Sequence, residues 1–303
     1  MIALNKISGN WIEKASRENR KADKILVEKV VRALALLEGL AKQEIPFVFK
    51  GGSALMLHLD SGKRLSIDID IILPKGTDMK SEWLNKVVES QSFTRWELQH
   101  RDAQSNIQKE HYKFFYVPLN KTSKTEDQIL LDILFEDTHY HKLEKLPIKS
   151  SLVPQTGDPV MVTVPSVEDL LGDKLTTFAP NTTGIPYSKN GDSKSLEIIK
   201  QLYDIGTLFD ITKDVTIIKK TFHAFSEAEL SYRENSGQTT ASVLEDIYQT
   251  SLTLVTRGMD GKAEFQELQS GIQRITSFIH SEKIHLEKAI THASKAAYIA
   301  TII

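Results

Sequence analysis

The chain has no cysteine among its 303 residues, which excludes disulfide bonds and zinc sites with thiolate ligands. No apolar run comes near the ~20 residues that a helix needs to cross a bilayer, and the first residues lack the apolar core of a signal peptide. Charge of one sign is not in excess either: 38 Lys and Arg against 40 Asp and Glu leave a net charge of −2, so a nucleic-acid-binding surface would have to be local. With 40% hydrophobic residues, the composition predicts a cytoplasmic protein that has no membrane partner and is long enough for two modest cores.

The sequence does contain a stretch, Ser66–Ile72, in which polar and aliphatic residues alternate. Side chains of a strand point alternately to opposite faces, so Asp68 and Asp70 would share one face with Cα atoms roughly 6.5–7 Å apart. A shared divalent cation, Mg²⁺ or Mn²⁺, would relieve the repulsion between the two carboxylates, because these ions prefer oxygen ligands. The solvated face of an antiparallel sheet often carries acids as well, and the alternation alone does not separate the two interpretations.

A glycine pair precedes this strand. Phe47–Lys50 has the composition of a short strand, Gly51-Gly52-Ser53 predicts a tight turn, and the apolar stretch Ala54–Leu59 predicts a short helix with Ser53 as its N-cap. Glycines let backbone amides approach a ligand closely, and the N-terminus of a helix favours an anion. The order of these elements predicts a phosphate-binding turn close to the two acids.

Together these features form one ordered motif: Gly51-Gly52-Ser53 and then, after a short helix, Arg64-x-Ser66-x-Asp68-x-Asp70. The motif resembles the first motif of the nucleotidyltransferase (polymerase beta-like) superfamily. Its Arg and Ser are most similar to the AbiEii/AbiGii toxin family, which includes abortive-infection and MenT-type toxins. The resemblance covers roughly residues 23–210. It implies an α+β fold, in which a mixed sheet of the nucleotidyltransferase type is flanked by helices and followed by a C-terminal helical bundle.

A second candidate strand, Gln128–Phe135, is apolar except for Gln128 and Asp132. A lone buried carboxylate costs several kcal/mol unless it is paired, hydrogen-bonded or bound to a metal. Asp132 could cap a nearby turn or pair with an arginine. We prefer the functional interpretation, in which Asp132 is the third carboxylate of a metal site and lies on a strand adjacent to Asp68 and Asp70. The resembled family has its second motif at this point.

The composition changes from mixed to helical around Pro165, and we place a domain boundary there. The prediction is a nucleotidyltransferase catalytic domain over 1–164 and a helical domain over 165–303 that completes the nucleotide and acceptor cleft. Hydrophobic periodicity predicts helices at 23–41, 81–90, 166–178, 195–209, 222–234, 241–257, 263–280 and 283–302, and strands at 94–99, 111–117, 128–135 and 159–164. Asp23 is the predicted N-cap of the first of these helices.

The helix predicted after Pro165 carries Lys174. Ser166 is a good N-cap for this helix, and Lys174 lies on or beside its apolar stripe. The lysine could extend along the surface to water, or its ammonium could point into a cleft toward triphosphate oxygens. The resemblance favours the second interpretation, because the family's third motif is a Leu-rich helix with a lysine at this point. The adjacent Asp173 is turned by about 100° and is expected to face solvent.

Asp204 lies on the next predicted helix. It could form an i,i+4 surface pair with Lys200, but the sequence Tyr-Asp-Ile matches the family's fourth motif, in which the Asp is functional. By that resemblance Asp204 would orient Lys174 or an arginine, or contact the nucleotide. Between the two helices, Pro180–Asp192 is rich in Pro, Gly, Asn and Thr and is predicted to be a substrate-gripping loop. Relatives often carry an arginine where this chain has Asn181.

The resemblance implies a reaction and a role for each residue. The reaction is metal-dependent transfer of an NMP from an NTP to an acceptor hydroxyl, with release of pyrophosphate; the acceptor would be an RNA 3′ end, particularly that of tRNA. The protein would be a growth-arresting toxin with a cognate antitoxin. The implied roles are metal binding for Asp68, Asp70 and Asp132, phosphate binding for Gly51, Gly52 and Ser53, charge stabilisation for Arg64, Ser66 and Lys174, and a further catalytic role for Asp204.

Two other interpretations stay open. The enzyme could transfer the nucleotide to a hydroxyl of a small molecule, such as an antibiotic. Alternatively, the chain could be a regulatory module that binds a nucleotide without turnover. The sequence identifies neither the NTP that is used nor the oligomeric state.

Overall fold

The computed structural model describes residues 1–59, 63–99, 108–120, 125–233, 237–259 and 263–303. The chain forms two compact units. The first unit comprises Met1–Thr138, Leu143–Val164 and Ser277–Glu282, and the second comprises His139–Lys142, Pro165–Thr276 and Lys283–Ile303.

Within the described ranges, the first unit is built on a five-stranded sheet. Its strands are β1 (Val48–Lys50), β2 (Ile69–Leu73), β3 (Arg95–Leu98), β4 (Lys109–Tyr116) and β5 (Asp127–Phe135). Their spatial order is β1-β2-β5-β4-β3; β2 and β5 run parallel, and the other neighbours run antiparallel. Two further strands, β6 (Leu143–Pro147) and β7 (Met161–Pro165), pair separately. The sequence did not predict β6, because this segment carries two charged residues and ends in proline.

The described helices of the first unit are α1 (Gly9–Glu18), α2 (Lys24–Ala41), α3 (Gly51–His58) and α4 (Ser81–Ser90). As predicted, Asp23 caps α2: its carboxylate accepts hydrogen bonds of 2.8 and 3.1 Å from the backbone N–H groups of Ile25 and Leu26. The apolar residues of α2 form one buried cluster with the odd-numbered residues of β5, Ile129 to Phe135. The even-numbered residues of β5 point to the other face and are only partly buried, so this second face is the one that carries Asp132.

The predicted role of Ser53 as a helix N-cap is wrong. Helix α3 begins at Gly51, Lys50 occupies the N-cap position, and no side chain caps the helix. Ser53 is buried, and its hydroxyl donates a hydrogen bond of 2.5 Å to the carbonyl oxygen of Asp68. The glycine pair therefore forms the first turn of the helix itself, and Ser53 ties that turn to the backbone just before β2.

The described helices of the second unit are α5 (Val167–Thr177), α6 (Ser195–Phe209), α7 (Val215–Tyr232), α8 (Thr240–Val255), α9 (Glu264–Ile275) and α10 (Leu286–Ile302), with a small hairpin of β8 (Ser188–Lys189) and β9 (Asp192–Ser193). Ser166 caps α5 as predicted, by accepting from the backbone N–H of Asp169. Helix α7 begins before the predicted residue 222, because Asp214 caps it by accepting 2.8 Å from the Thr216 N–H. The helices pack mainly in the pairs α5–α7, α8–α10, α6–α9, α6–α10 and α5–α6.

The predicted fold class is confirmed: the chain is α+β, with a mixed sheet flanked by helices and C-terminal helices that pack as a bundle. Among the described residues, none of the helices combines the length and the apolar composition that a bilayer span requires.

Candidate active site

Four residues form a transverse row across the five-stranded sheet. In the register of the strands, Lys50 is the partner of Asp70, Asp70 is the partner of Asp132, and Asp132 is the partner of His111. Register partners point to the same face of a sheet, and neighbouring strands lie about 4.8 Å apart. The structure therefore places Asp70 and Asp132 side by side on neighbouring strands, as the sequence predicted.

Asp132 is held by a histidine. The Nδ1 atom of His111 lies 2.6 Å from Asp132 Oδ1, and the two side chains are 16% and 34% exposed. Neither a turn cap nor an arginine pair accounts for this acid among the described contacts. Sequence reasoning missed His111, because nothing local shows that β4 lies beside β5. The sequence did contain one signal for His111. Residues 111–117 are predicted to form a strand, and the alternation of side chains along a strand places His111 on the same face as Lys113.

The glycine pair lies directly against Asp70 and Arg64. Gly51 has φ +78°, and a Cβ atom at this position would collide with the Asp70 carboxylate. A Cβ atom at Gly52 would collide with the Arg64 guanidinium and would lie 3.0 Å from Ser66 Oγ. Glycine is required at both positions because the first turn of α3 packs against side chains of the motif. The structure thus brings together five of the residues that carried the resemblance.

Residues Ser277–Glu282 of the C-terminal part of the chain hold the segment that carries Arg64. The backbone N–H of Leu65 donates 2.8 Å to the Phe278 carbonyl, and the Ser281 hydroxyl donates 3.0 Å to the Lys63 carbonyl. Arg64 is buried, and its Nη1 donates 3.3 Å to the Leu65 carbonyl. No pattern in the sequence indicated this return of the chain to the first unit, because the contacts use backbone groups.

Asp68 lies just outside the strand that carries Asp70. The predicted strand began at Ser66, whereas β2 begins at Ile69, and Asp68 is exposed just before it. In the part of the chain that the structure describes, no group of three His, Asp or Glu side chains is arranged to hold a metal ion. Asp70 and Asp132 are adjacent, Asp132 is engaged by His111, and the convergence of all three carboxylates on a metal ion stays a prediction.

In the second unit, Lys174 and Asp204 form a buried ion pair. Lys174 Nζ lies 3.2 Å from Asp204 Oδ2 and donates 2.8 Å to Gln201 Oε1. Both residues are buried, Asp204 completely, so Lys174 does not extend to water and Asp204 does not lie on the surface. The contact fits the prediction that Asp204 orients Lys174, and the role of both residues in the reaction stays a prediction.

The expectation that Asp173 faces solvent is wrong. Asp173 is buried, and its carboxylate accepts a hydrogen bond of 2.7 Å from the Tyr140 hydroxyl. The segment His139–Lys142 covers this side of α5, where Asp169 also accepts from the backbone N–H groups of His141 and Lys142 at 2.7 and 2.9 Å. A helical periodicity shows the apolar face of a helix but not a polar face that another segment covers.

The loop Pro180–Asp192 is anchored at its first half. Asp246 accepts hydrogen bonds from the backbone N–H and the side-chain amide of Asn181, at 2.8 and 2.7 Å, and from the Thr182 hydroxyl at 2.9 Å. Arg233 donates to the carbonyl oxygens of residues 182–184. Burial also raises the pKa of Tyr187 to about 12, so its phenol is neutral at physiological pH. Asn181 thus contributes to the anchor.

Comparisons with known proteins identify a family and similar solved structures. Residues 35–286 match the model of the family described as nucleotidyl transferase AbiEii toxin, type IV toxin–antitoxin system. No curated protein matches the chain. Among solved structures, JHP933 from Helicobacter pylori is 16% identical, with a TM-score of 0.47 over 91% of this chain and 89% of that one. An antigenic nucleotidyltransferase-like protein from Paracoccidioides brasiliensis is 16% identical, with a TM-score of 0.42 over 74% of this chain and 91% of that one. Because the family match spans most of its residues, the chain belongs to the AbiEii family of nucleotidyl transferase toxins of type IV toxin–antitoxin systems.

Proposed function

We propose that the protein transfers an NMP from an NTP to the 3′ end of an RNA, particularly a tRNA, in the cytoplasm, and that this transfer arrests growth unless the antitoxin counteracts it. The observation that carries the proposal is the pairing of Asp70 with Asp132 in the register of β2 and β5, beside the N-terminus of α3. Carboxylates next to a helix N-terminus suit a reaction between a triphosphate and a hydroxyl.

The donor set of the row fits a divalent cation such as Mg²⁺ or Mn²⁺. Asp70 and Asp132 offer carboxylate oxygens, which these ions prefer. Asp70 and Asp132, with the exposed Asp68 just before β2, would hold the ion. When bound, the metal would neutralise the departing pyrophosphate and activate the acceptor hydroxyl.

The first turn of α3 would bind the triphosphate. The first N–H groups of a helix have no partner within the helix, and the positive end of the helix dipole attracts anions. Gly51 and Gly52 have no side chains of their own to block an anion, and Arg64 and Ser66 add a positive charge and a hydroxyl beside Gly52. Ser53 would contribute its backbone N–H only, because its hydroxyl donates to Asp68.

Lys174 is assigned to charge stabilisation, and Asp204 to orienting it. The assignment rests on the family resemblance and on the ion pair within the second unit, in which Asp204 and Gln201 fix the ammonium group. A buried, paired lysine loses little further conformational freedom when it binds an anion. The division of labour between a catalytic domain over 1–164 and a helical domain over 165–303 is part of the same proposal.

The acceptor is tested by incubating the protein with each α-labelled NTP in turn, Mg²⁺ and total RNA, with small-molecule acceptors in parallel. Label on tRNA supports the proposal. Label on a small molecule favours an antibiotic-type transferase, and nucleotide binding without transfer favours a regulatory module.

The site is tested by replacing an aspartate in β2, and the control replaces an aspartate in the loop that follows β2. Asp70→Asn should abolish transfer, whereas Asp78→Asn, at an exposed position in the loop after β2, should leave it unchanged. Transfer by the Asp70→Asn protein at the wild-type rate would show that the row of carboxylates is not the active site.

A further inference from the structure

We infer that His111 is a positioning residue, which holds Asp132 in the orientation in which this carboxylate binds the divalent cation. The inference rests on the proposed function. It concerns a residue outside the family motifs that the sequence carries.

The geometry of the contact is that of a fixed hydrogen bond between neighbouring strands. His111 and Asp132 are direct partners in the antiparallel register of β4 and β5, and His111 Nδ1 lies 2.6 Å from Asp132 Oδ1. With Nδ1 protonated, the imidazole donates to one carboxylate oxygen, and the second oxygen stays available to a cation or to the acceptor hydroxyl.

The residues beside Asp132 explain why His111 sets the orientation of its carboxylate. On the same strand face, Asp132 is flanked by Leu130 and Leu134, which offer no hydrogen bond. Among the described contacts, the hydrogen-bonding partner of the Asp132 carboxylate is His111. A carboxylate side chain without such a partner would sample several rotamers, and its affinity for a cation would fall accordingly.

Two substitutions of His111 separate positioning from packing. His111→Asn keeps a side-chain N–H near the position of Nδ1, whereas His111→Leu keeps volume but removes the donor. The matched control is Tyr112→Phe on the opposite face of β4, which removes the 2.7 Å hydrogen bond from the Tyr112 hydroxyl to Glu110. Mn²⁺ affinity is measured by electron paramagnetic resonance in the absence of nucleotide. Separate assays give kcat and KM for the NTP, and the melting temperature of each variant is the test of folding.

We expect His111→Leu to weaken Mn²⁺ binding and to lower kcat by about 10–100-fold, the usual effect of losing a hydrogen bond to a metal ligand. The KM for the NTP should change little, because α3 and Arg64 bind the triphosphate. His111→Asn should restore most of the affinity and of kcat, and Tyr112→Phe should behave as the wild type.

Wild-type Mn²⁺ affinity and kcat in the His111→Leu protein would overturn the inference and leave the proposed function intact. Equal losses in the Asn and Leu variants would also overturn it, because the donor would then not be the cause. If the wild type binds Mn²⁺ but transfers no nucleotide, the proposed function fails, and the Mn²⁺ affinities of the variants still decide the role of His111. A wild type that binds no Mn²⁺ overturns both.

Discussion

Gly51 lies against the carboxylate of Asp70 so closely that position 51 has no room for a Cβ atom. The contact joins the first residue of α3 to Asp70, the acid of β2. It makes the glycine a steric requirement of the acidic site, in addition to a residue that tolerates φ +78°.

Gly51→Ala should therefore abolish or strongly reduce transfer. The new methyl group displaces the Asp70 carboxylate, and a misplacement of about 1 Å at a reacting centre can cost about 10²-fold in rate. The matched control is Gly76→Ala, because Gly76 has φ +77° but nothing within 4 Å of the added Cβ. Both variants should lose roughly 1–2 kcal/mol of stability to backbone strain. Equal activity of the two proteins would contradict the steric role of Gly51.

Single alanine substitutions of Asp68, Asp70 and Asp132 should each abolish transfer while the fold survives. Each removes a carboxylate that would hold the cation, and none of the three is fully buried. The measurement is incorporation of labelled NMP, with circular dichroism as the test of folding. Asp137→Ala, which removes an exposed acid just after β5, should retain the wild-type rate. Activity of the Asp68 variant alone would restrict the metal site to the adjacent pair.

Removal of divalent cations should stop the reaction reversibly. Treatment with EDTA is expected to eliminate incorporation of labelled NMP, and addition of excess Mg²⁺ or Mn²⁺ is expected to restore it, because the carboxylate pair binds hard cations through oxygen. Melting curves with and without EDTA provide the control for folding. Unchanged transfer in EDTA would exclude the proposed metal dependence.

The ion pair between Lys174 and Asp204 can be dissected with a double-mutant cycle. Lys174→Met and Asp204→Asn each remove one charge of the buried ion pair, which costs about 3–5 kcal/mol in the free energy of unfolding. The double variant should be destabilised by less than the sum, because both charges are gone. Denaturant unfolding gives these values.

Activity separates the two roles of Lys174. If the ammonium stabilises charge in the reaction, the double variant should stay inactive although its stability recovers. Recovery of transfer together with stability would mean that Lys174 and Asp204 only hold the second unit together.

Asp246 should control the stability of the loop that contains Asn181. Asp246→Ala leaves the donors of Asn181 and Thr182 without their acceptor, at a cost of about 1–3 kcal/mol. Thermal unfolding should show this loss, and limited proteolysis should cleave the loop faster. Glu245→Ala, at the exposed neighbouring position of α8, is expected to stay within about 0.5 kcal/mol of the wild type. A comparable loss in both variants would argue against the anchor.

Elements with strong local signals could be predicted from the sequence. The apolar stripe and the Asp23 cap indicated α2, and the predicted bounds of α4, residues 81–90, are those observed. Helix α1 was missed because most of its residues are polar and only a few are buried. The position of Asp173 was predicted wrongly, since the segment that covers it is far away in the chain. The periodicity of a helix depends on residues that are neighbours in the sequence, whereas burial of its polar face depends on residues far away in the chain.

The sequence by itself determined which chemistry is present: a glycine pair at a helix start, two acids in an alternating strand, one acid in an apolar strand, and a lysine and an acid on successive helices. The tertiary structure decided which of these groups meet. It placed Asp132 opposite Asp70, added His111 to the same row and left Asp68 outside β2. Strand register depends on hydrogen bonds between distant segments, and a shift of one residue would turn every side chain to the other face. No pattern within a single segment can specify that choice.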